Sequence, residues 1–212
     1  VGLSTISAIL IFSSVFRRDR SVNSDAGIAK ISRGSWDKAI ALTAIAFYLM
    51  WSIPDAPRGL IAYGRNLPSW ADYPEYVYAG EGMNASVAVS ELDTGVRNFH
   101  VSGKVVASSE PQDMRLQRML GHISALFHPH PKTILIVGCG AGVTAGTFVL
   151  YPEVERIVIC EIEPLIPPAA GTYFGTENYD VIDDPRVEIV LDDARHFMAT
   201  TSERFDVITS DP

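Results

Sequence analysis

The sequence predicts a doubly wound α/β domain, preceded by a small antiparallel β-sheet and by one or two apolar helices. Three observations support this fold class. The apolar run 133–137 is followed at once by a glycine-rich turn. Short apolar runs then alternate with helical or irregular segments as far as residue 209. Ahead of them, 85–107 contains β-rich runs bounded by turn-forming residues.

Composition and charge narrow the class of protein further. The chain has 212 residues, of which 47% are apolar and 20% charged, and this excludes a disordered protein. Two cysteines are too few for a disulfide scaffold. The net charge of -8 argues against a nucleic-acid partner, and most of the acidic residues lie in 74–212. The segment 1–73 has a small basic excess, so the chain is predicted to be composite.

The first apolar run, 1–16, contains no charged residue and is followed by Arg17, Arg18 and Arg20. This order predicts a membrane helix with a cytoplasmic stop, and a buried core helix is the alternative. Sixteen helical residues extend about 24 Å, which is shorter than the roughly 30 Å hydrocarbon core. Because the chain begins inside this run, we interpret it as a piece of a longer protein whose upstream residues would complete the span.

A second apolar run, 39–53, carries Tyr48 and Trp51 near its end, as expected at a membrane interface. It predicts either a second crossing or an interfacial helix, with membrane lipid as a partner. The basic excess of 17–38 places that loop in the cytoplasm. A full crossing by 39–53 would place the residues after it outside the cytoplasm. A nucleotide-like ligand, however, favours a cytoplasmic α/β domain. Both topologies therefore stay open. Residues 1–53 are thus the membrane part.

Between the apolar runs and the α/β domain, the sequence predicts two further segments. Residues 54–74 are rich in turn formers and indicate a linker. Residues 75–111 are assigned to the small sheet, with strands over 85–92, 97–101 and 104–107. The α/β domain then occupies 112–212. It opens with the helical spacing of 112–127.

The α/β domain itself is predicted to consist of four parallel strands. The run 133–137 is continuously apolar, as is typical of a parallel strand that is covered on both faces. A helix over 143–150 follows the glycine turn. The other three strands are expected at 156–160, 187–191 and 205–209.

Three glycines, Gly138, Gly140 and Gly142, follow the first of these strands. A strand that turns sharply into a helix lets a ligand approach bare backbone, and side chains at these positions would obstruct it. The pattern predicts a nucleotide-binding loop. A tight turn that merely needs small residues is the alternative.

Four acids come at or just after the predicted strand ends: Glu161, Asp192, Asp193 and Asp211. The carboxyl ends of neighbouring parallel strands converge on one crevice. A carboxylate twenty-three residues after the first glycine stands where such folds bind both ribose hydroxyls, which predicts that role for Glu161. Four acids together suit a cationic ligand or proton abstraction. Each of them taken alone could instead cap a helix.

Several motifs resemble those of the polyamine aminopropyltransferases, the spermidine synthase family, over roughly residues 76–212. The matching stretches are T-I-L-I-V-G-C-G-A-G at 133–142, C-E-I-E at 160–163, D-D-P-R-V-E at 183–188, L-D-D-A-R at 191–195, F-D-V-I-T-S-D-P at 205–212 and L-Q-R-M-L-G-H at 116–122. Apolar helices ahead of such a domain resemble the membrane-fused spermidine synthase-like proteins of bacteria. The resemblance implies a bacterial inner-membrane protein, and the nucleotide-like ligand favours a cytoplasmic α/β domain.

The same resemblance implies a class I methyltransferase-like fold and a ligand, decarboxylated S-adenosylmethionine, whose aminopropyl group moves to an amine. It implies that the three glycines form the cofactor loop and that Glu161 binds ribose. Asp192, Asp193 and Ala194 resemble the adenine-binding turn, and Gln117 falls on a further matching position. Asp211 resembles the catalytic aspartate.

No metal is predicted, because the five histidines show no metal-ligand spacing. The predicted partners are a small amine, membrane lipid and a second copy of the chain in a homodimer. The chain departs from the family at three positions. Ala141 replaces an acid of the glycine loop, Leu116 replaces a tyrosine and Arg118 replaces another acid. Two alternatives therefore stay open: a methyltransferase that uses intact S-adenosylmethionine, and a non-catalytic nucleoside-binding membrane protein.

Overall fold

The computed structural model describes residues 33–66 and 74–210, and they belong to two compact units, 1–55 and 56–212. The apolar run 1–16 and the predicted catalytic Asp211 lie outside the described residues.

In the first unit, helix α1 spans Arg33–Trp51. It begins six residues before the predicted 39–53 run and ends two residues before its end. From Ile40 onward its large apolar side chains are mostly exposed to solvent, and Trp51 is 90% exposed. Within 33–66 and 74–210 no helix combines the length and the apolar character that a membrane crossing needs, so the predicted second transmembrane helix is not supported.

The second unit begins with α2, Arg58–Tyr63, and a 3₁₀ turn, Gly64–Asn66. These elements fall in the segment 54–74, which was predicted as a linker. Ala62 and Tyr63 are buried and pack against Ala88 of the small sheet. The described part of this segment therefore covers one face of that sheet.

The small sheet has four antiparallel strands in the order β1-β2-β3-β4. The strands span Glu75–Glu81, Ser86–Glu91, Arg97–Val101 and Lys104–Ser108. Its strands β2 and β3 are buried on both faces because α2 covers one face and the main core covers the other. The last three strands agree with the prediction to within two residues, and β1 was not predicted.

The α/β part contains a second, parallel sheet of four strands in the order β7-β6-β5-β8. Its elements are α3 Pro111–Phe127, β5 Thr133–Val137, α4 Val143–Val149, β6 Arg156–Glu161, α5 Ile166–Asn178, a 3₁₀ turn Val181–Asp183, β7 Val187–Leu191, α6 Ala194–Thr200 and β8 Val207–Ser210. This architecture confirms the predicted α/β fold with a small antiparallel sheet ahead of it.

The parallel sheet is apolar on both faces, as its continuous apolar runs predict. On one face, Ile134, Ile136 and Ile157 belong to the main core, which also holds Phe99 of the small sheet. On the other face, residues such as Leu135 form a smaller cluster against α6. Since β5, β6 and β7 are neighbours, their carboxyl ends lie side by side along one edge.

Candidate functional site

The loop between β5 and α4 is held in a backbone conformation that only glycine adopts easily. Gly138, Gly140 and Gly142 have φ values of +85°, +52° and +78°. L-residues, which carry a Cβ, are strained in this left-handed region, whereas glycine is not. A Cβ at residue 142 would also come within 3.0 Å of the Asn178 amide nitrogen. The three predicted glycines are therefore required by the turn itself, in addition to the clearance they leave for a ligand.

The other residues of the loop are buried, and a side chain of α5 contacts the loop backbone. Cys139 and Ala141 are fully buried. The Asn178 side chain, at the end of α5, donates hydrogen bonds to the Ala141 carbonyl at 2.9 Å and to the Ala170 carbonyl at 3.2 Å. The loop is thus fixed by α5 even where its own side chains are small.

Glu161 ends β6 beside this loop, as predicted, and is only 5% exposed. One carboxylate oxygen accepts the Cys139 N–H at 2.8 Å, and the other accepts the Glu163 N–H at 2.9 Å. A carboxylate offers about four acceptor positions, so acceptor capacity remains for hydroxyl donors. The structure brings Glu161 and the glycine loop together.

Asp192 and Asp193 follow β7, next to β6. The Asp192 N–H donates to the Glu161 carbonyl at 3.1 Å, which aligns the two strand ends. The Asp192 carboxylate accepts the Asp193 N–H at 2.8 Å and contacts His196 Nδ1 at 2.7 Å. A carboxylate only accepts, so the ring nitrogen donates. This hydrogen bond raises the pKa of His196.

Asp193 is the N-cap of α6, and its side chain accepts the Arg195 N–H at 2.9 Å. The Arg195 guanidinium also bonds both carboxylate oxygens, the shorter contact being 2.6 Å. These bonds from Arg195 lower the pKa of Asp193 to about 2. Ala194, the first residue of α6, packs into the apolar cluster under the sheet.

Arg195 and His196 were not identified from the sequence as site residues. A signal was available for His196, because Asp192 comes four residues before it and residues four apart on a helix face each other. The hydrogen bond from the Arg195 backbone N–H gives Asp193 the capping role that was the alternative interpretation of each acid.

Gln117 lies on α3 and is 4% exposed. Its backbone carbonyl accepts the Thr144 hydroxyl at 3.2 Å, which ties α3 to the helix that follows the glycine loop. Among the residues that the structure describes, neither atom of its side-chain amide has a hydrogen-bond partner. A buried amide in this state costs free energy unless a ligand or water pairs with it.

Two of the residues that depart from the family pattern, Leu116 and Arg118, also lie on α3. Arg118 lies over the Tyr179 ring, 5.4 Å from its centroid, and donates to the Glu177 carbonyl at 3.4 Å. Leu116 is largely exposed on α3. Within the described ranges, no group of three or more His, Cys, Asp or Glu residues is arranged to hold a metal ion.

Comparison with known proteins finds similarity to the same family that the sequence motifs resemble. Residues 113–212 match the family model of the spermine/spermidine synthase domain. Polyamine aminopropyltransferase 1 of Pseudomonas aeruginosa is 30% identical over 154 residues, which cover 66% of this chain and 54% of that protein. The polyamine aminopropyltransferase of Thermotoga petrophila is 30% identical over 149 residues, covering 70% of this chain and 49% of that protein. The chain spans about half the length of the curated relatives it matches.

Two solved structures are similar to this one. The crystal structure of spermidine synthase from Thermotoga maritima has a TM-score of 0.59 and 29% identity, covering 64% of this chain and 47% of that one. A spermidine synthase in complex with the transition state analogue AdoDATO also has a TM-score of 0.59 and 29% identity, covering 65% of this chain and 46% of the other.

Proposed function

Because residues 113–212 belong to the spermine/spermidine synthase family, we propose that the protein is a transferase that moves an aminopropyl group from decarboxylated S-adenosylmethionine to a small amine. The relatives named above are polyamine aminopropyltransferases, and the proposal carries their activity to this chain.

The observation that carries the proposal is the unpaired amide of Gln117. It is buried, and it lies on the helix that contacts Thr144 just after the glycine loop. A ligand that offers both a donor and an acceptor would satisfy the amide and offset its desolvation. Decarboxylated S-adenosylmethionine, a nucleoside sulfonium, has both kinds of group, so the residues present fit such a ligand.

The nucleoside half of the site is assigned as follows. Glu161 would accept hydrogen bonds from the ribose hydroxyls, since its carboxylate is fixed and has acceptor positions left. Asp193, with Asp192 and Ala194 beside it, would contact the adenine. The backbone of Gly138–Gly142 would lie against the ligand, where side chains would be in the way.

For the reaction, the sulfonium of the bound co-substrate supplies an activated leaving group. The protein then needs to hold an amine in line with the reacting carbon and to take its proton. We assign the base to Asp211, which follows Ser210. Ser210 is the last residue of β8 and pairs with Val137, directly before the glycine loop.

The proposal is tested by calorimetric titration of the whole protein with decarboxylated S-adenosylmethionine, intact S-adenosylmethionine and methylthioadenosine. Tighter binding of the decarboxylated form together with amine-dependent release of methylthioadenosine would support it. Preference for the intact form with methyl transfer would establish the methyltransferase alternative. Binding of methylthioadenosine without turnover of either form would establish the non-catalytic one.

The role of Asp211 is tested by Asp211→Asn. Loss of a general base should lower turnover by roughly 10²–10⁴ while nucleoside affinity stays within about threefold. Equal losses in binding and turnover would instead assign Asp211 to holding the ligand.

We also propose that residues 1–53 attach the protein to a membrane, with α1 lying at the interface. The support is that Ile45, Phe47 and Trp51 of α1 are mostly exposed although they are large and apolar. The expressed protein should then sediment with membranes and resist carbonate extraction. Recovery as a monomer without detergent would contradict both this attachment and the predicted homodimer.

A further inference from the structure

The turn between β1 and β2 is attached to the segment that follows β6. The Asn84 and Ala85 N–H groups donate to one oxygen of the Glu163 carboxylate at 2.8 and 3.0 Å. The Asn84 side chain donates to the Ile162 carbonyl at 2.7 Å. These residues are 78 and 79 positions apart in sequence, so the contacts join the small sheet to the parallel sheet.

The Glu163 carboxylate is enclosed by the turn. Glu163 is 1% exposed, and its other oxygen accepts the Leu165 N–H at 3.2 Å. Burial alone would raise its pKa, but the three backbone N–H groups outweigh burial and lower the pKa below its usual value. A Cβ added at Gly82 would collide with this carboxylate. The turn and the carboxylate are therefore fitted closely to each other.

The same residue also contacts the candidate ribose ligand through its backbone. The Glu163 N–H donates to one oxygen of Glu161 at 2.9 Å, while the Cys139 N–H donates to the other at 2.8 Å. A continuous series of hydrogen bonds thus runs from the β1–β2 turn through Glu163 and Glu161 to the glycine loop. The Glu163 side chain fixes the position from which its own N–H reaches Glu161.

We propose that Glu163 is a positioning residue, which uses the β1–β2 turn to hold the Glu161 carboxylate in the orientation that receives the ribose hydroxyls. The inference rests on the proposed function, because it assumes that Glu161 binds ribose. In this arrangement the small sheet takes part in nucleoside recognition without touching the nucleoside.

The test compares two probes, methylthioadenosine and its 2′,3′-dideoxy analogue, by calorimetry on the whole protein. The wild type should prefer the ribose form at least tenfold. Glu163→Gln keeps only one acceptor oxygen, so its NH₂ group must face either the N–H groups of the turn or the Leu165 N–H, and the backbone at residue 163 should shift. The preference should then fall to threefold or less, while affinity for the dideoxy analogue changes by less than twofold. Glu81→Gln, an exposed acid in the same hairpin, is the matched control and should behave as wild type.

A second variant guards against loss of folding in Glu163→Gln. Gly82→Ala leaves the charge in place but displaces the carboxylate by steric contact, and it should lower the ribose preference in the same way. Met83→Ala changes a neighbouring side chain that is 91% exposed and should change nothing. An unchanged ribose preference in both test variants, or equal loss of both probes, would overturn the role of Glu163. A wild type without ribose preference would overturn the ribose role of Glu161 itself and the inference with it.

Discussion

Acidic residues that were predicted for one binding crevice lie at two neighbouring corners of the parallel sheet. The groups that bind their carboxylates differ between the two corners. At the loop corner, Glu161 is buried and bonded by backbone N–H groups of residues 139 and 163. At the helix corner, Asp192 and Asp193 are partly exposed and bonded by the side chains of His196 and Arg195. One carboxylate is fixed by the fold, and the other two are paired with charged or titratable side chains.

The difference determines how each corner responds to conditions. Backbone donors carry no net charge that salt could screen, so the Glu161 geometry should persist as the ionic strength increases. The Arg195 pair is mostly exposed and should weaken as salt increases. The loop corner is therefore suited to constant recognition of a ligand, and the helix corner to an adjustable contact.

The largest effect is expected from Glu161→Gln. The amide can accept only one of the two backbone N–H groups and leaves the other facing an NH₂ group. A buried donor without a partner costs about 1–3 kcal/mol of the free energy of unfolding, and charge-assisted bonds to ribose are lost as well. Methylthioadenosine affinity should fall at least tenfold in calorimetry, and urea unfolding should show the loss of stability.

Glu188→Gln is the matched control, because Glu188 lies on β7 and pairs with Arg156 on the exposed surface. That variant should leave nucleoside affinity unchanged. An undiminished affinity in Glu161→Gln would remove the distinction between the two corners.

Sequence reasoning succeeded where local patterns determine the structure. The continuous apolar runs of β5, β6 and β7 indicated buried parallel strands, and the topology then placed Glu161 beside the glycine loop. It missed β1, whose pairing with β2 contains a register shift between Tyr76 and Tyr78. It also missed α2, which is six residues long between turn-forming segments.

The partners of the site residues were harder to predict. Glu163 was quoted only as part of a motif, since its contacts come from a turn 78 positions earlier in the chain. The unpaired amide of Gln117 is a property of packing that no residue pattern encodes. Spacing places a side chain at a strand end or on a helix, but the groups that surround it depend on tertiary contacts.

A smaller effect is expected at the helix corner from two substitutions of one residue. Asp193→Ala removes the N-cap of α6 and should lower the Tm by about 2–4 °C. Asp193→Asn keeps a good cap and loses only the ionic contact with Arg195, so its Tm should stay within about 1 °C of wild type. Thermal unfolding in low and high salt checks this. A Tm for Asp193→Asn that is as low as that of Asp193→Ala in low salt but approaches the wild-type value in high salt would show that charge, and not capping, matters.

The smallest effect concerns pH at the same corner. The hydrogen bond from His196 to Asp192, supported by the nearby charge of Asp193, raises the pKa of His196 above its ordinary 6.5. A raised pKa means that the protonated histidine is favoured in the folded state. Its stabilising contact is therefore complete below pH 6.5 and is lost as the pH rises through the folded-state pKa.

NMR titration of the His196 ring should show the raised pKa in the wild type and a lower value in Asp192→Asn. Nucleoside affinity should change by less than threefold between pH 6 and pH 8, and His196→Gln should remove that change. A pKa that does not respond to Asp192→Asn would refute the pairing, and a pH dependence that survives in His196→Gln would locate it outside the helix corner.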